Sequence, residues 1–213
     1  MFIGKSFFQI LTMGGFTLYI ILACSIICLA IVIDRVRAFR KAGKLDRPAF
    51  MSRLRELILA GNADEAARFA ARTSTPLTRV VNEGLVLRTS DEKSIDHAMS
   101  RRIKVETRLL ERWTNIVGSI GGTVVYIGLF GTVLGIIRAF QDISASAAVG
   151  GGIAAVITGI AEALICTASG IFVAVPSVIS YNLMLKKIDD IQSELELAAS
   201  ETADLIRRSD ARG

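Results

Sequence analysis

Three polar side chains lie within long runs of uncharged residues, and they are the best candidates for chemistry. Glu162 is the only charge between Ile143 and Leu185, while Thr132 and Thr167 place hydroxyl groups in similarly apolar segments. A charged side chain near the centre of a bilayer costs at least ~2.5 kcal/mol and usually faces a protein interior or a water-filled path. Glu162 is therefore predicted either to serve a proton or ion path, or only to fix a contact with a neighbouring helix.

The two threonines also have two possible roles. A threonine hydroxyl at membrane depth either bonds its own backbone or presents a polar surface to a pore. Because Glu162 and Thr167 are about 140° apart around an ideal helix, they cannot both point at one pore centre. The single histidine, His97, lies in a charged segment, and the three cysteines lie in apolar runs where they are expected to pack. Neither a metal site nor a cofactor is predicted, and the chain is not expected to be an enzyme.

The composition indicates that these residues lie in a membrane. The chain has 213 residues, of which 52% are hydrophobic, with a mean hydropathy of +0.50. That is too apolar for an ordinary soluble domain. Three apolar runs, of which only the third contains a charge, are each long enough to cross a bilayer. We predict an all-α polytopic membrane protein. Its predicted segments are 1–14 (external or interfacial helix), 15–33 (first span), 34–112 (helical cytoplasmic segment), 113–137 (second span), 138–150 (short periplasmic loop), 151–185 (third span) and 186–213 (cytoplasmic helix).

The basic residues give the orientation. Lys and Arg are concentrated after the first span, before the second and after the third. Since basic flanks stay in the cytoplasm, the N-terminus is predicted to be periplasmic and the C-terminus cytoplasmic. Basic residues are interleaved with acidic residues in 34–112, which argues against nucleic-acid binding.

Small residues recur at near-turn spacing in the second and third spans, and they are predicted to pack the two helices closely. Pro176 lies in the third span and is expected either to bend that helix or to be tolerated without consequence. The small residues in question are Gly128, Gly131, Gly135, Gly159, Ala163 and Gly170.

Helical patterns also run through the charged segments. Asn62 to Glu65 has capping-box spacing, and Ser74 to Pro76 should end the helix that follows it. An apolar stripe across the boundary of the second span suggests that this helix begins in the cytoplasm, and a second stripe extends the third helix beyond the membrane. These stripes are Ile95, Met99, Ile103, Leu110, Trp113 and Val117, and Ile188, Ile191, Leu195, Ala198, Thr202 and Leu205.

Two motifs carry a family resemblance. The second span contains Gly128-Leu-Phe-Gly-Thr132-Val-Leu-Gly135, and the third contains Gly159-Ile-Ala-Glu162-Ala-Leu-Ile-Cys-Thr167-Ala-Ser-Gly170, followed by Val173-Ala-Val-Pro176. These residues resemble the MotA/TolQ/ExbB proton channel family, and the three spans are most similar to ExbB and TolQ. One departure is Val125, which stands where ExbB and TolQ proteins generally have a proline.

The resemblance implies a pentameric ring in the bacterial inner membrane around a pair of single-span ExbD/TolR-like subunits. In such complexes the partner carries the titrating aspartate. The resemblance also implies that Thr132 and Thr167 line the proton path, with Glu162 as the carboxyl of the Gly-Ile-Ala-Glu motif. The proton motive force would then energise a periplasm-spanning protein of the TonB or TolA type, in import or envelope maintenance. A purely structural membrane scaffold that organises a partner complex is the alternative.

Overall fold

The computed structural model describes residues 15–146 and 152–210, and these residues form helices without strands. The predicted helix at 1–14 lies outside the described residues, as do 147–151 and 211–213. In chain order the described helices are α1 (Gly15–Ala42), α2 (Arg47–Leu59), α3 (Ala63–Ala71), α4 (Pro76–Val86), α5 (Glu92–Glu111), α6 (Thr114–Ser146) and α7 (Gly152–Asp210).

Three of the helices are long and apolar enough to cross a membrane. The most apolar windows of α1, α6 and α7 have mean hydropathies of 2.8, 2.0 and 2.0, and less than a third of each window is buried within the chain. Apolar side chains on an exposed helix surface need lipid or other protein to cover them. The prediction of an all-helical protein with three membrane-spanning helices is confirmed.

The chain divides into two compact units. The apolar unit comprises the described parts of 1–33 and 113–182, and the charged unit comprises those of 34–112 and 183–213. The apolar unit contains α6, the first part of α1 and the first part of α7. Its buried side chains include Ile21, Val117 and Val124.

The charged unit is built from short capped helices. Asp46, Thr75 and Asp91 cap α2, α4 and α5, each accepting a hydrogen bond from the backbone N–H three residues later. Such caps satisfy donors that the first helical turn leaves free. The second part of α7 packs into this unit along the predicted stripe, whose six members are all buried: Ile188, Ile191, Leu195, Ala198, Thr202 and Leu205.

A buried carboxylate joins α4 to α5. Glu106 is 1% exposed, and its two oxygen atoms accept from Arg79 Nε and Nη2 at 2.7 and 2.6 Å. Arg102 Nη2 lies 2.9 Å from Glu106 Oε1. The hydrogen bonds to Glu106 raise the pKa of the Arg79 guanidinium above its ordinary value. Two cations thus neutralise one buried charge, as burial of a carboxylate requires.

Two local predictions are wrong. The second span does not continue from a cytoplasmic helix, because α5 ends at Glu111 and Trp113 adopts a φ of 68°. A positive φ at a bulky residue interrupts a right-handed helix. Asn62 begins α3, but its side chain makes no capping hydrogen bond, whereas the capping box belongs to Thr75 and Thr78.

One further helix boundary differs from the predicted segments, whereas two other predictions agree with the structure. Residues 138–146, predicted as loop, continue α6. The third helix continues without interruption beyond the membrane segment, as its apolar stripe predicted, and reaches Asp210. Residues 72–75 separate α3 from α4, so the predicted break is present, with Pro76 as the first residue of α4.

Candidate functional site

The two threonine hydroxyls meet between α6 and α7. Thr167 Oγ1 donates to Thr132 Oγ1 at 3.4 Å, and Thr132 Oγ1 donates to the Leu129 carbonyl oxygen at 2.5 Å. Thr132 is 7% exposed, whereas Thr167 is half-buried. The result is a short chain of hydrogen bonds that ends on a backbone carbonyl, with Thr167 at its more accessible end.

Glycines bring the hydroxyls within reach of each other. A Cβ atom built on Gly128 would lie 2.7 Å from the Cys166 carbonyl oxygen and 3.1 Å from Thr167 Cα. One built on Gly170 would lie 2.9 Å from the Val124 carbonyl oxygen and 3.2 Å from Gly128 Cα. The backbones of α6 and α7 are therefore in direct contact, which only residues without a Cβ permit.

The other predicted small residues lie along the same contact. A Cβ on Gly135 would lie 2.6 Å from Ala163 Cβ, and one on Gly159 would lie 2.7 Å from Ala139 Cβ. A Cβ on Gly131 would lie 2.9 Å from Cys166 Cβ of α7 and 2.6 Å from Thr17 Oγ1 of α1. The structure thus places all six small residues singled out in the sequence where helices approach closely.

Glu162 lies in a different place from the threonine pair. It is half-buried and lines a cleft of about 140 Å³ that also includes Thr17, Arg138 and Cys166. Within residues 15–146 and 152–210 its carboxyl group forms neither a hydrogen bond nor an ion pair. The structure therefore separates the predicted site into a hydroxyl pair and a carboxyl cleft, consistent with the angle between Glu162 and Thr167 on the helix.

Pro176 lies inside the uninterrupted α7. Because proline has no N–H, the Phe172 carbonyl lacks its usual helical donor. The next residue, Ser177, donates to the Val173 carbonyl oxygen at 2.7 Å and accepts from Cys28 Sγ of α1 at 3.1 Å. A bend at Pro176 stays a prediction.

Sequence reasoning missed Thr17, Arg138 and Ser177. The signal for Thr17 and Ser177 is weak, because a single hydroxyl in an apolar run is common and its partner lies on another helix. Arg138 was counted only as a flanking charge. Its place beside Glu162 follows from the end of α6 lying next to Gly159 and Ala163 in the same cleft.

A model of the MotA/TolQ/ExbB proton channel family matches residues 72–197, which include α4, α5, α6 and most of α7. The chain belongs to this family. The match contains Thr132, Glu162 and Thr167, and the resemblance seen in the sequence is confirmed.

Individual relatives place the chain in the ExbB/TolQ group of the family. It is 28% identical over 189 residues to a biopolymer transport protein ExbB homologue of Methanothermobacter thermautotrophicus, covering 89% of this chain and 66% of that protein. It is 33% identical over 120 residues to the biopolymer transport protein ExbB of Salmonella typhimurium (56% and 46%). The Tol-Pal system protein TolQ of Pseudomonas aeruginosa is 41% identical over 90 residues (42% and 38%). The aligned regions thus span 38% to 66% of these relatives' lengths.

Proposed function

We propose that this chain is the ring subunit of a bacterial inner-membrane proton channel that uses the proton motive force to energise a periplasm-spanning protein. In this proposal five copies enclose a pair of single-span ExbD/TolR-like subunits, and the energised protein is of the TonB or TolA type. The N-terminus is periplasmic and the C-terminus cytoplasmic. The observation that carries the proposal is the Thr167–Thr132–Leu129 chain of hydrogen bonds at the closest approach of α6 and α7.

The direction of these hydrogen bonds determines what the pair can bind. Thr132 gives its proton to a backbone carbonyl, so its oxygen is left as an acceptor for Thr167. The free lone pair at the accessible end belongs to Thr167. A protonated carboxyl group on a partner helix can donate to that lone pair.

The same pair can accommodate the ionised carboxylate. After the partner acid loses its proton, the Thr167 hydroxyl can rotate and donate to the carboxylate. The bond that it gives up, at 3.4 Å, is long and therefore weak. Because neither hydroxyl carries a competing charge, both protonation states of the acid are tolerated at modest cost. Each proton crossing a potential of 100 mV would release ~2.3 kcal/mol to move the partner against the ring.

Glu162 supplies the second polar position in the proposal. Its half-buried carboxyl faces a cleft shared with the guanidinium of Arg138, near the end of the apolar unit predicted to be periplasmic. We place it on the route by which protons reach the partner acid. The alternative role, fixing a helix contact, predicts that Glu162→Gln alters assembly and leaves proton flux per assembled complex unchanged.

Proton flux in membrane vesicles tests the function. Thr167→Val removes the hydroxyl with little change in shape, and Thr123→Val is its matched control, because Thr123 is an exposed residue of α6 that donates to the Ser119 carbonyl oxygen at 2.7 Å. The complex is purified with whatever single-span subunit accompanies it, reconstituted, and assayed with a pH-sensitive dye under an imposed potential. Thr167→Val should lower flux about tenfold, the equivalent of ~1.4 kcal/mol, whereas Thr123→Val should not.

Two results would count against the channel. Unaltered flux in an assembled Thr167→Val complex would remove the hydroxyl pair from the mechanism. A ring that purifies without any single-span subunit and passes no protons would favour the structural scaffold instead.

A further inference from the structure

Exposed cations form a row along one face of α5. Lys93, Arg101, Lys104 and Arg108, here called the basic row, fall within about 80° of the helix circumference. All four are exposed, and none forms an ion pair with the residues that the structure describes. Four unpaired like charges on one face repel each other, so this surface favours an anionic partner.

The basic row borders a groove in the charged unit. The groove has a volume of about 690 Å³ and lies between α5 and α7, lined by Arg101, Lys104 and Arg108 together with Gln192 and Glu196 of α7. Thr107, which is 8% exposed, also lines it. The Thr107 hydroxyl has no hydrogen-bond partner in the described part of the chain. A buried hydroxyl without a partner is unfavourable, so the groove is incomplete in a single copy.

The opposite flank of α7 carries acidic side chains. Asp190 and Glu194, here called the acidic row, are exposed and form no ion pair within residues 15–146 and 152–210. Each is two positions from Gln192 and therefore about 160–200° away around α7. Since Gln192 faces the groove, the acidic row faces away from it and cannot reach the basic row of its own chain.

We propose that the basic row of one copy binds the acidic row of a second copy. Two different, complementary surfaces on opposite flanks make a head-to-tail contact, which repeats from copy to copy and closes into a ring when the rotation allows. Opposite charges on the two faces select this partner and this register. The Thr107 hydroxyl gains an acceptor when a carboxylate enters the groove.

Apolar side chains support the same pairing. Val105 lines the groove and is 48% exposed, and Leu197, one turn beyond Glu194, is 53% exposed. Interfaces between proteins commonly place apolar residues at the centre and charged residues at the rim. Only the closure of the copies into a ring depends on the proposed function. The contact between copies stands on the two faces themselves.

Disulfide crosslinking between whole chains tests the contact. A tagged Val105→Cys chain and an untagged Leu197→Cys chain are produced together in the same membranes and oxidised. The expected product is a dimer of one tagged and one untagged chain, formed only by this combination. Tagged Val86→Cys is the matched control, because Val86 is an exposed valine of the charged unit that does not line the groove. It should crosslink at least tenfold less.

Charge reversal separates this contact from other interfaces. Arg101→Glu with Arg108→Glu in the Val105→Cys chain should lower the crosslink yield about tenfold. Asp190→Lys with Glu194→Lys in the Leu197→Cys chain should do the same, and the two reversals together, one in each chain, should restore the yield. Because these side chains are exposed and without partners in the described chain, the variants are expected to fold. A crosslink yield that neither reversal changes would overturn the inference.

The remaining outcomes distinguish this inference from the proposed function. If native mass spectrometry shows an intact oligomer but no crosslink forms, the proposed contact is wrong and the proposed channel function is unaffected. Lost proton flux with the crosslink intact would not support the channel, but it would leave the contact standing. If the basic-row reversal abolished binding to phosphatidylglycerol vesicles and no crosslink formed, the basic row would be a lipid-binding face and the inference would be wrong.

Discussion

Gly128→Ala should destabilise the protein, whereas Gly122→Ala on the same helix should not. The added Cβ at Gly128 would lie 2.7 Å from the Cys166 carbonyl oxygen and 3.1 Å from Thr167 Cα. Both atoms belong to the backbone, so no side-chain rotation relieves the contact. At Gly122 the added Cβ meets no atom within 4 Å. Because both substitutions replace glycine by alanine within α6, their effects on helix propensity largely cancel.

The size of the effect follows from the separation that the new methyl group forces. Moving α6 and α7 apart by about 0.5–1 Å forfeits a quarter to a half of the dispersion energy of the touching atoms. Inserting a methyl group into a packed contact of this kind costs roughly 1–3 kcal/mol. The Thr167–Thr132 distance is already 3.4 Å, so the same movement takes the two oxygen atoms beyond hydrogen-bonding range.

Two measurements on the assembled complex check this reasoning. Unfolding in detergent, followed by helical circular dichroism, should show a lower midpoint for Gly128→Ala and an unchanged or higher midpoint for Gly122→Ala. Proton flux in vesicles should fall about tenfold in Gly128→Ala alone, because the hydroxyl chain is broken. Equal destabilisation by both substitutions, or wild-type stability and flux in Gly128→Ala, would refute the close approach as its cause.

Two further predictions concern the charged unit. Glu106→Gln should lower the free energy of unfolding by about 2–4 kcal/mol, because it leaves two arginines facing a neutral amide. Arg79 is partly exposed, so its hydration offsets part of this loss. Glu56→Gln removes an exposed ion pair and should lower the free energy of unfolding by less than ~1 kcal/mol. Equal losses in the two variants would contradict the role of burial. The Ser94 hydroxyl and N–H lower the pKa of Asp91 below its ordinary value. The charged cap therefore stabilises α5 above the unfolded-state pKa of about 3.9, and this stability is lost as pH falls through the lower folded-state pKa. Asp91→Asn, which caps without titrating, should flatten this acid dependence in unfolding midpoints measured from pH 6 to 2.5, and an unchanged profile would exclude Asp91.

Much of the charged unit was predictable because its signals are local. The stripe from Ile188 to Leu205 is buried as its spacing required, since a helix with one apolar face must cover that face. The helix start at Asn62 was also correct, although the hydrogen bond assigned to its side chain was not. Spacing identifies a position for a cap, but the side-chain rotamer decides whether the bond forms.

The break before α6 was not predictable from periodicity. The stripe from Ile95 to Val117 keeps helical spacing through Trp113, yet the chain leaves the helix there. In the charged unit, Arg35 donates to the carbonyl oxygens of Leu109 and Leu110 at 2.9 and 3.3 Å. These bonds satisfy carbonyls that a helix end leaves free, so the end of α5 is stabilised by a residue 74 positions away.

The sequence by itself determined that this protein is a helical membrane protein of the ExbB/TolQ group, because apolar length, charge and short motifs are properties of neighbouring residues. It also selected Thr132, Glu162 and Thr167 as candidates for the proton path, and that role stays a proposal. Only the tertiary structure decided that the threonines, 35 residues apart, share a hydrogen bond while Glu162 faces a separate cleft with Arg138. The physical reason is that hydrogen-bond partners and cleft neighbours depend on how closely two helices pack. Here atoms far apart in the chain set that distance.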